Sequence, residues 1–190
     1  MKPALIIVDM LKDTFEKHPE ALIAKEGMTF VPTINRLSTM FREKGLPVIF
    51  SCDSFLVDDF IFQGKMSPHS IKGTEGANII DQLNREPGYI VSEKRRFSAF
   101  FKTGIEQQLR QYGCDTVVVV GISTHICVLS TVIDAVSFDF NAVLLKDCCA
   151  AHAPDIHDSI IQIYENTPLY PLIRVMPSQM FIESEMETVQ

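Results

Sequence analysis

Residues 116–120 read Thr-Val-Val-Val-Val, an unbroken β-branched segment. β-branched side chains favour strands, and a strand without polar alternation belongs in a sheet that is covered on both faces. Similar short apolar segments lie at 4–8, 46–51, 89–92, 141–145 and 172–175. Apolar residues at helical spacing occur between them, at 30–41, 79–83, 105–112, 127–138 and 156–164. This alternation predicts an α/β fold, a three-layer sandwich with a central, mostly parallel β-sheet flanked by helices.

The length of 190 residues suffices for one domain with a sizeable core. We predict a single domain over residues 1–182. The long irregular stretch at 53–75 is rich in phenylalanine, leucine and isoleucine, which predicts a lid or an interface rather than disorder. The polar residues 183–190 predict a solvated, mobile C-terminal tail.

The overall composition limits the partners and the compartment. A formal net charge of −7 provides no electrostatic attraction for nucleic acid. No segment approaches the roughly 18 consecutive apolar residues of a membrane span, so we expect no membrane association. The 5 cysteines are odd in number and lack Cys-x-x-Cys spacing, which favours reduced thiols in a cytoplasmic protein over disulfides or a zinc ribbon.

Candidate chemical groups follow the predicted strands. Ligands of open parallel sheets bind beyond the carboxyl ends of the strands. Four such ends carry polar groups, namely Asp9, Asp53, Lys94 and the segment 121–127 that ends in Cys127. Cys127 follows a strand and a turn and begins a predicted helix, where the helix dipole stabilises a thiolate and backbone N–H groups can hold an oxyanion. The alternative for Cys127 is a small, buried and inert side chain.

Asp9 and Lys94 also have more than one interpretation each. Asp9 ends a buried strand, which suits a proton carrier, a capping residue or, less well, an aspartyl nucleophile or Mg²⁺ ligand. The last of these normally has a second acidic residue close behind, whereas Met10, Leu11 and Lys12 intervene before Asp13 here. Lys94 lies in a basic triplet that is typical of a solvated face, but a partly buried ammonium would favour thiolate and carboxylate neighbours.

Four segments resemble the isochorismatase-like cysteine hydrolases, which include nicotinamidases and N-carbamoylsarcosine amidases. They are ALIIVDM at 4–10, EKRRFSAFFKT at 93–103, DTVVVVGISTHICVLSTVIDAV at 115–136 and VLLKDCCAA at 143–151. The resemblance implies a catalytic triad of Asp9, Lys94 and Cys127. It also implies a cis peptide bond between Ile122 and Ser123, and an oxyanion hole formed by the backbone N–H groups of Ser123 and Cys127.

The chain departs from the metal-bearing nicotinamidases at one place. Their Asp-x-His pattern is followed by a second histidine, whereas this chain has Asp53-Ser54-Phe55 and then His69. Because Phe55 replaces a ligand histidine, only two protein ligands remain, and catalytic zinc sites usually have three. We therefore expect no metal cofactor, and expect Asp53 and His69 to pair with each other or with the substrate. Phe97, Phe100 and Thr124 are further candidates for the pocket wall.

The resemblance implies a cysteine hydrolase that cleaves a C–N bond of a small amide or N-carbamoyl (ureido) compound through a thioester. Two alternatives remain open at this point, a nicotinamidase and a catalytically silent binding member of the fold. The resemblance also implies a homodimer or a homotetramer.

Overall fold

Six parallel strands form the central sheet of the computed structural model, which describes residues 1–85 and 87–186. The strands are β1 (Pro3–Val8), β2 (Val48–Asp53), β3 (Ile90–Lys94), β4 (Thr116–Ile122), β5 (Asn141–Ala150) and β6 (Ile173–Met176). Their spatial order is β3-β2-β1-β4-β5-β6, and every adjacent pair is parallel. The predicted α/β class with a central parallel sheet is confirmed.

Helices cover both faces of the sheet. They are α1 (Lys12–Phe15), α2 (Leu22–Glu43), α3 (Ile105–Gln111), α4 (Leu129–Ser137), α5 (Pro154–Glu165) and α6 (Ser178–Phe181). Val118 and Val120 of β4 join the apolar cluster that includes α2, whereas Val117 and Val119 join the cluster that includes α3 and α4. Burial on both faces explains why this strand has no polar alternation.

Two predicted helices differ from the structure. Helix α2 begins at Leu22, eight residues before the predicted start at 30. The sequence did not reveal its first turns because exposed polar residues interrupt the apolar pattern there. Residues 79–83 form no helix. Instead Ile79 bridges to Leu11, and the N–H of Ile80 donates to the carbonyl of Met10 at 3.1 Å, so these backbone groups bind the segment after β1.

Residues 183–186 of the predicted mobile tail form part of a turn in the structure, and the mobility of the tail stays a prediction. Residues Ile182–Met186 form a π-helical turn directly after α6. Ile182 and Met186 are buried in the same apolar cluster as α2, and the Phe181 ring stacks on Phe41 with centroids 6.2 Å apart. Burial of these apolar side chains holds the segment on the domain. Residues 187–190 of the predicted tail lie outside the described residues.

The two ends of the predicted lid segment, residues 53–75, are hydrogen-bonded to each other. The N–H of Phe55 donates to the carbonyl of Ser70 at 3.0 Å, and the N–H of Lys72 donates to the carbonyl of Phe55 at 2.8 Å. Phe55 is buried, whereas Val57 and Phe60 farther along the segment are exposed. The function of this segment as a lid or interface stays a prediction. None of the helices described here has the length and apolar character needed to cross a membrane.

Candidate active site

The candidate residues meet because four neighbouring strands end at the same edge of the sheet. The end of β1, Val8, is paired with Ser51 of β2 and with Gly121 of β4, and Asp53 of β2 is paired with Lys94 of β3. The chain turns directly after Val8. As a result one carboxylate oxygen of Asp9, one of Asp53 and the sulfur of Cys127 lie within 4.8 Å of one another.

Lys94 is the fully buried cation of this group. Its ammonium donates to Asp9 Oδ2 at 2.8 Å and also to Asp53 Oδ1. Burial by itself lowers the pKa of Lys94, but the charges of Asp9, Cys127 and Asp53 outweigh that effect and raise the pKa above its ordinary value. Lys94 therefore remains charged at any physiological pH, and the solvated-face alternative is wrong.

Asp53 is a buried carboxylic acid that holds its proton more strongly than it would in water. Burial, followed by the charge of Asp9, raises the pKa of Asp53 to about 8. The backbone N–H of Asp53 also donates to Asp9 Oδ1 at 2.8 Å, so Asp9 receives one donor on each oxygen. At neutral pH Asp53 is therefore mostly protonated beside the charged Lys94.

The expected pairing of Asp53 with His69 is not what the structure shows. Asp53 contacts Lys94, whereas Nδ1 of His69 donates to the carbonyl of Ser67 at 2.9 Å. Two buried carboxylates need a nearby cation, and Lys94 meets that requirement without an imidazole. Contact of Asp53 or His69 with a substrate stays a prediction.

Cys127 lies in a π-helical turn, Thr124–Val128, that precedes α4. The carbonyl of Ser123 accepts the N–H groups of Ile126 at 3.1 Å and Val128 at 3.2 Å, which closes the turn around the cysteine. The carbonyl of Cys127 accepts the Thr131 hydroxyl at 2.7 Å.

The expected resting thiolate at Cys127 is not supported. Burial, followed by the charge of Asp9, raises the pKa of the Cys127 thiol well above its ordinary value, and Asp9 is also its hydrogen-bond partner. The two neighbouring carboxyl groups and the loss of solvation outweigh the favourable helix dipole and Lys94. The resting side chain is therefore a neutral thiol with a carboxylate beside it.

The backbone of the same turn agrees with the resemblance. The peptide bond between Ile122 and Ser123 is cis. Ser123 and Cys127 both line the cavity above the buried acids. The assignment of their N–H groups as an oxyanion hole stays a prediction.

A cavity of about 270 Å³ opens above Asp9, Asp53 and Cys127. Three of the five candidate pocket residues, Asp53, His69 and Phe97, line it. The other two, Phe100 and Thr124, do not. The Phe100 ring packs on Phe138 and Phe140, and the buried Thr124 hydroxyl contacts Nδ1 of His157 at 2.9 Å. Residues adjacent in sequence to a site often point into the core, which sequence spacing cannot reveal.

Two histidines of the cavity wall, His125 and His152, were not among the site residues predicted from the sequence. His125 is half-buried and lines the cavity, and His152 lines it from the connection between β5 and α5. His152 lies two residues beyond the end of β5, so the strand-end rule that indicated Asp9 and Lys94 also applies to it.

Asp9, Asp53 and Cys127 are also the group of potential metal ligands that the described residues bring together. The Lys94 ammonium already contacts both carboxylates. Phe55, where the metal-bearing pattern has histidine, packs edge-on against His69 with ring centroids 5.4 Å apart. The donor set therefore fits a zinc ion poorly, because an ammonium competes for the carboxylates and one of the two imidazoles of the metal-bearing pattern is missing.

Comparison with known proteins agrees with this arrangement. Residues 3–169 match the family model of the isochorismatase domain. A probable inactive nicotinamidase of Arabidopsis thaliana is 33% identical over 174 residues, covering 86% of this chain and 88% of its own length. The crystal structure of N-carbamoylsarcosine amidase from Thermoplasma acidophilum aligns with a TM-score of 0.79 at 32% identity, over 94% of this chain and 97% of that one.

A shorter match links the chain to a ureido-cleaving enzyme. The ureidoacrylate amidohydrolase of Agrobacterium fabrum is 39% identical over 84 residues, which cover 44% of this chain and 37% of its own length. Together, the family match over most of the chain and the relatives that align over most of their lengths show that this chain belongs to the isochorismatase-like hydrolase family, which includes amidases that act on C–N bonds.

Proposed function

We propose that the protein is a cysteine hydrolase that cleaves the C–N bond of a small amide or N-carbamoyl (ureido) compound. One observation carries the proposal, namely the contact group of a buried thiol, a carboxylate and an ammonium at the base of a small cavity. A nucleophile beside a base that is itself oriented by a third group is the arrangement that covalent catalysis requires.

The raised pKa of the thiol gives each residue a defined task. Asp9 takes the proton of Cys127 while the sulfur attacks the substrate carbonyl, because a neutral thiol is a weak nucleophile. The N–H groups of Ser123 and Cys127 hold the tetrahedral oxyanion. Asp9 then gives the proton to the leaving nitrogen, which departs as ammonia or a small amine. Water, deprotonated by Asp9, hydrolyses the thioester and restores the thiol.

We further propose that the reaction needs no metal ion. The ammonium of Lys94 compensates the negative charge that develops on the sulfur and on Asp9, which is an electrostatic task that a cation must perform in a buried site. The packing of Phe55 against His69 leaves no imidazole in the place of the missing ligand. Nicotinamide is correspondingly a less suitable substrate than a ureido compound or a simple amide.

A second candidate is a binding protein that retains the fold without turnover. The relative described as a probable inactive nicotinamidase, which is 33% identical over 174 residues, favours it. The complete and mutually bonded set of Asp9, Lys94 and Cys127 favours the enzyme.

The test is an ammonia-release screen over nicotinamide, N-carbamoyl amino acids and simple amides. We expect the protein to release ammonia from at least one of them, with the same rate before and after treatment with EDTA. Cys127→Ala should fall to the uncatalysed rate. Cys148→Ala is the matched control, because it removes another buried thiol that does not line the cavity.

Each other result selects another function. Ammonia release by Cys127→Ala at the rate of the unaltered protein would exclude the thioester mechanism. Loss of activity in EDTA with recovery in zinc would indicate a metal-dependent nicotinamidase. No turnover of any compound, together with ligand-induced thermal stabilisation, would indicate the binding protein.

A further inference from the structure

The cavity wall offers few groups that can carry a positive charge. Among the described residues that line it there is no lysine or arginine, and the buried Lys94 beneath it is already bonded to two carboxyl groups. A negatively charged part of a substrate can therefore find an opposite charge only at the three histidines of the wall, His69, His125 and His152.

His69 is the least suitable of the three. Its Nδ1 is used by the carbonyl of Ser67 at 2.9 Å, and its ring packs edge-on against Phe55 and Phe62 with centroids 5.4 Å and 5.8 Å away. The apolar rings beside it leave little room for an anion.

His125 and His152 form a contacting pair of imidazoles. Their ring centroids are 5.0 Å apart with an interplanar angle of 62°. Nδ1 of His125 lies 3.1 Å from the hydroxyl of Ser123, which fixes the ring orientation. The hydroxyl can donate to Nδ1, which leaves Nε2 of His125 as a donor for a ligand.

The surroundings of His125 favour its neutral form in the absence of a ligand. Burial, followed by the proximity of His152, lowers the pKa of His125. The other titratable groups around the pair are Cys127 on the same turn, His157 of α5 on the Thr124 hydroxyl, and, in the wall of the same cavity, Asp9, Asp53 and His69. An anion between the two rings would reverse the balance, because a nearby opposite charge favours the protonated imidazole.

We propose that His125 and His152 bind the acidic group of the substrate and take up a proton as it binds, so that the protein selects amides or N-carbamoyl compounds that carry a carboxylate. This inference rests on the proposed function, since it places the scissile carbonyl at Cys127. The carboxylate of Asp9 repels an anion, which directs the acidic end of such a substrate away from it and toward the histidine pair.

Proton uptake can be measured without turnover. Calorimetric titration of the Cys127→Ala protein with N-carbamoylglycine at pH 7, in phosphate and in Tris, gives the number of protons bound from the difference in apparent enthalpy. We expect uptake of about half a proton or more, because the charged carboxylate shifts the imidazole equilibrium by about one pKa unit or more. The neutral analogue N-carbamoylglycinamide should bind without uptake.

The histidines are then replaced in the same background. His125→Gln and His152→Gln keep a polar side chain but cannot become charged, so each should weaken N-carbamoylglycine about tenfold and abolish the uptake, corresponding to the loss of one pKa unit of interaction. His18→Gln is the control, because His18 is exposed and does not line this cavity.

The outcomes separate the two proposals. Proton uptake that persists in His125→Gln and His152→Gln would assign it to another group and overturn the histidine site, as would equal binding of the acid and its amide. Either result leaves the hydrolase proposal standing if ammonia is released. Proton-coupled binding that depends on both histidines, with no ammonia release from any compound, supports the histidine site and refutes the hydrolase.

Discussion

The number of protons shared by Asp9, Asp53, Lys94 and Cys127 decides what these residues can do. A thiol whose pKa is raised by burial and by Asp9 is inert until a base removes its proton. In the proposed mechanism the same Asp9 suppresses the thiolate at rest and enables it during attack. This dual effect distinguishes a base-activated cysteine from one that is permanently ionised by a helix dipole.

Asp9→Asn should consequently separate thiol reactivity from catalysis. Removing the negative charge beside Cys127 lowers the thiol pKa, so iodoacetamide labelling at pH 8 should become about tenfold faster, the effect of about one pKa unit. Hydrolysis should fall by about 10²–10⁴-fold because the proton carrier is lost. Mass spectrometry of the labelled peptides measures the first effect, with Cys114 as internal reference. Slower labelling of Cys127 in Asp9→Asn would contradict this account.

The titration of Asp53 should be visible in the stability of the protein. The pKa of Asp53 is about 8 in the folded protein, whereas its ordinary value is 3.8. At pH values between these two, the folded state binds a proton that the unfolded state lacks. The stability from this proton is present at low pH and is lost as the pH rises through 8. His125 and His157, whose pKa values are lowered from 6.5, act in the opposite direction, but only below that pH.

Between pH 6.5 and 8 the Asp53 effect therefore stands alone among these groups. We expect the free energy of unfolding to decrease by about 1 to 2 kcal/mol over this range, as for loss of one preferentially bound proton. Asp53→Asn should remove most of the decrease. Urea unfolding at several pH values measures it, and an identical pH slope in Asp53→Asn would show that another group titrates.

At the scale of elements, the site depends on how closely β1 and β4 approach each other. Gly121 lies opposite Val8 with a φ of 110°, and a Cβ there would lie 2.1 Å from the carbonyl oxygen of Val8. The next element, the turn that carries Cys127, is bound through Thr131, whose hydroxyl donates to the Cys127 carbonyl and accepts the N–H of Ala99 at 3.0 Å. These contacts thus fix the distance between Cys127 and Asp9, the proposed nucleophile and base.

Gly121→Ala should be strongly destabilising. The added methyl group requires the two strands to separate at the site, and the positive φ adds strain, so we expect a loss of about 3 kcal/mol or more and loss of activity. Gly45→Ala is the matched control, since Gly45 also has a positive φ of 66°, but apart from its chain neighbours no atom lies within 4 Å of the position that the added methyl group would take. Its cost should be about 1 kcal/mol. Equal losses in the two variants would show that backbone strain alone matters at Gly121.

At the scale of the whole molecule, the layer on one side of the sheet is completed by the last described segment. Phe181 is fully buried and stacks on Phe41 of α2, and Ile182 and Met186 join the same cluster. This segment therefore contributes to the core that holds α2 against the sheet, which is a structural role that its polar sequence conceals.

Phe181→Ala tests this role. Removal of a buried phenylalanine ring should cost about 3–5 kcal/mol and lower the melting temperature accordingly. The neighbouring Met180 is exposed, so Met180→Ala should change stability by less than about 0.5 kcal/mol. A cost as small as that of Met180→Ala would mean that the segment is detached in solution.

The sequence by itself determined the alternation of strands and helices and the parallel sheet, because apolar periodicity and β-branched segments are local properties of the chain. It also placed Asp9, Asp53, Lys94 and Cys127 at one edge of that sheet, because parallel strands all end on the same side. The resemblance of the turn 121–127 assigned three of them their chemical tasks.

Only the tertiary structure decided which side chains face the cavity and how their charges balance. Phe100 and Thr124 point into the core while His125 and His152 reach the wall, and the choice depends on packing between elements distant in sequence. The neutral state of Cys127 likewise follows from burial and from the distances to two carboxyl groups. Electrostatic energies depend on distance and solvent exposure, which arise only when the whole chain is folded.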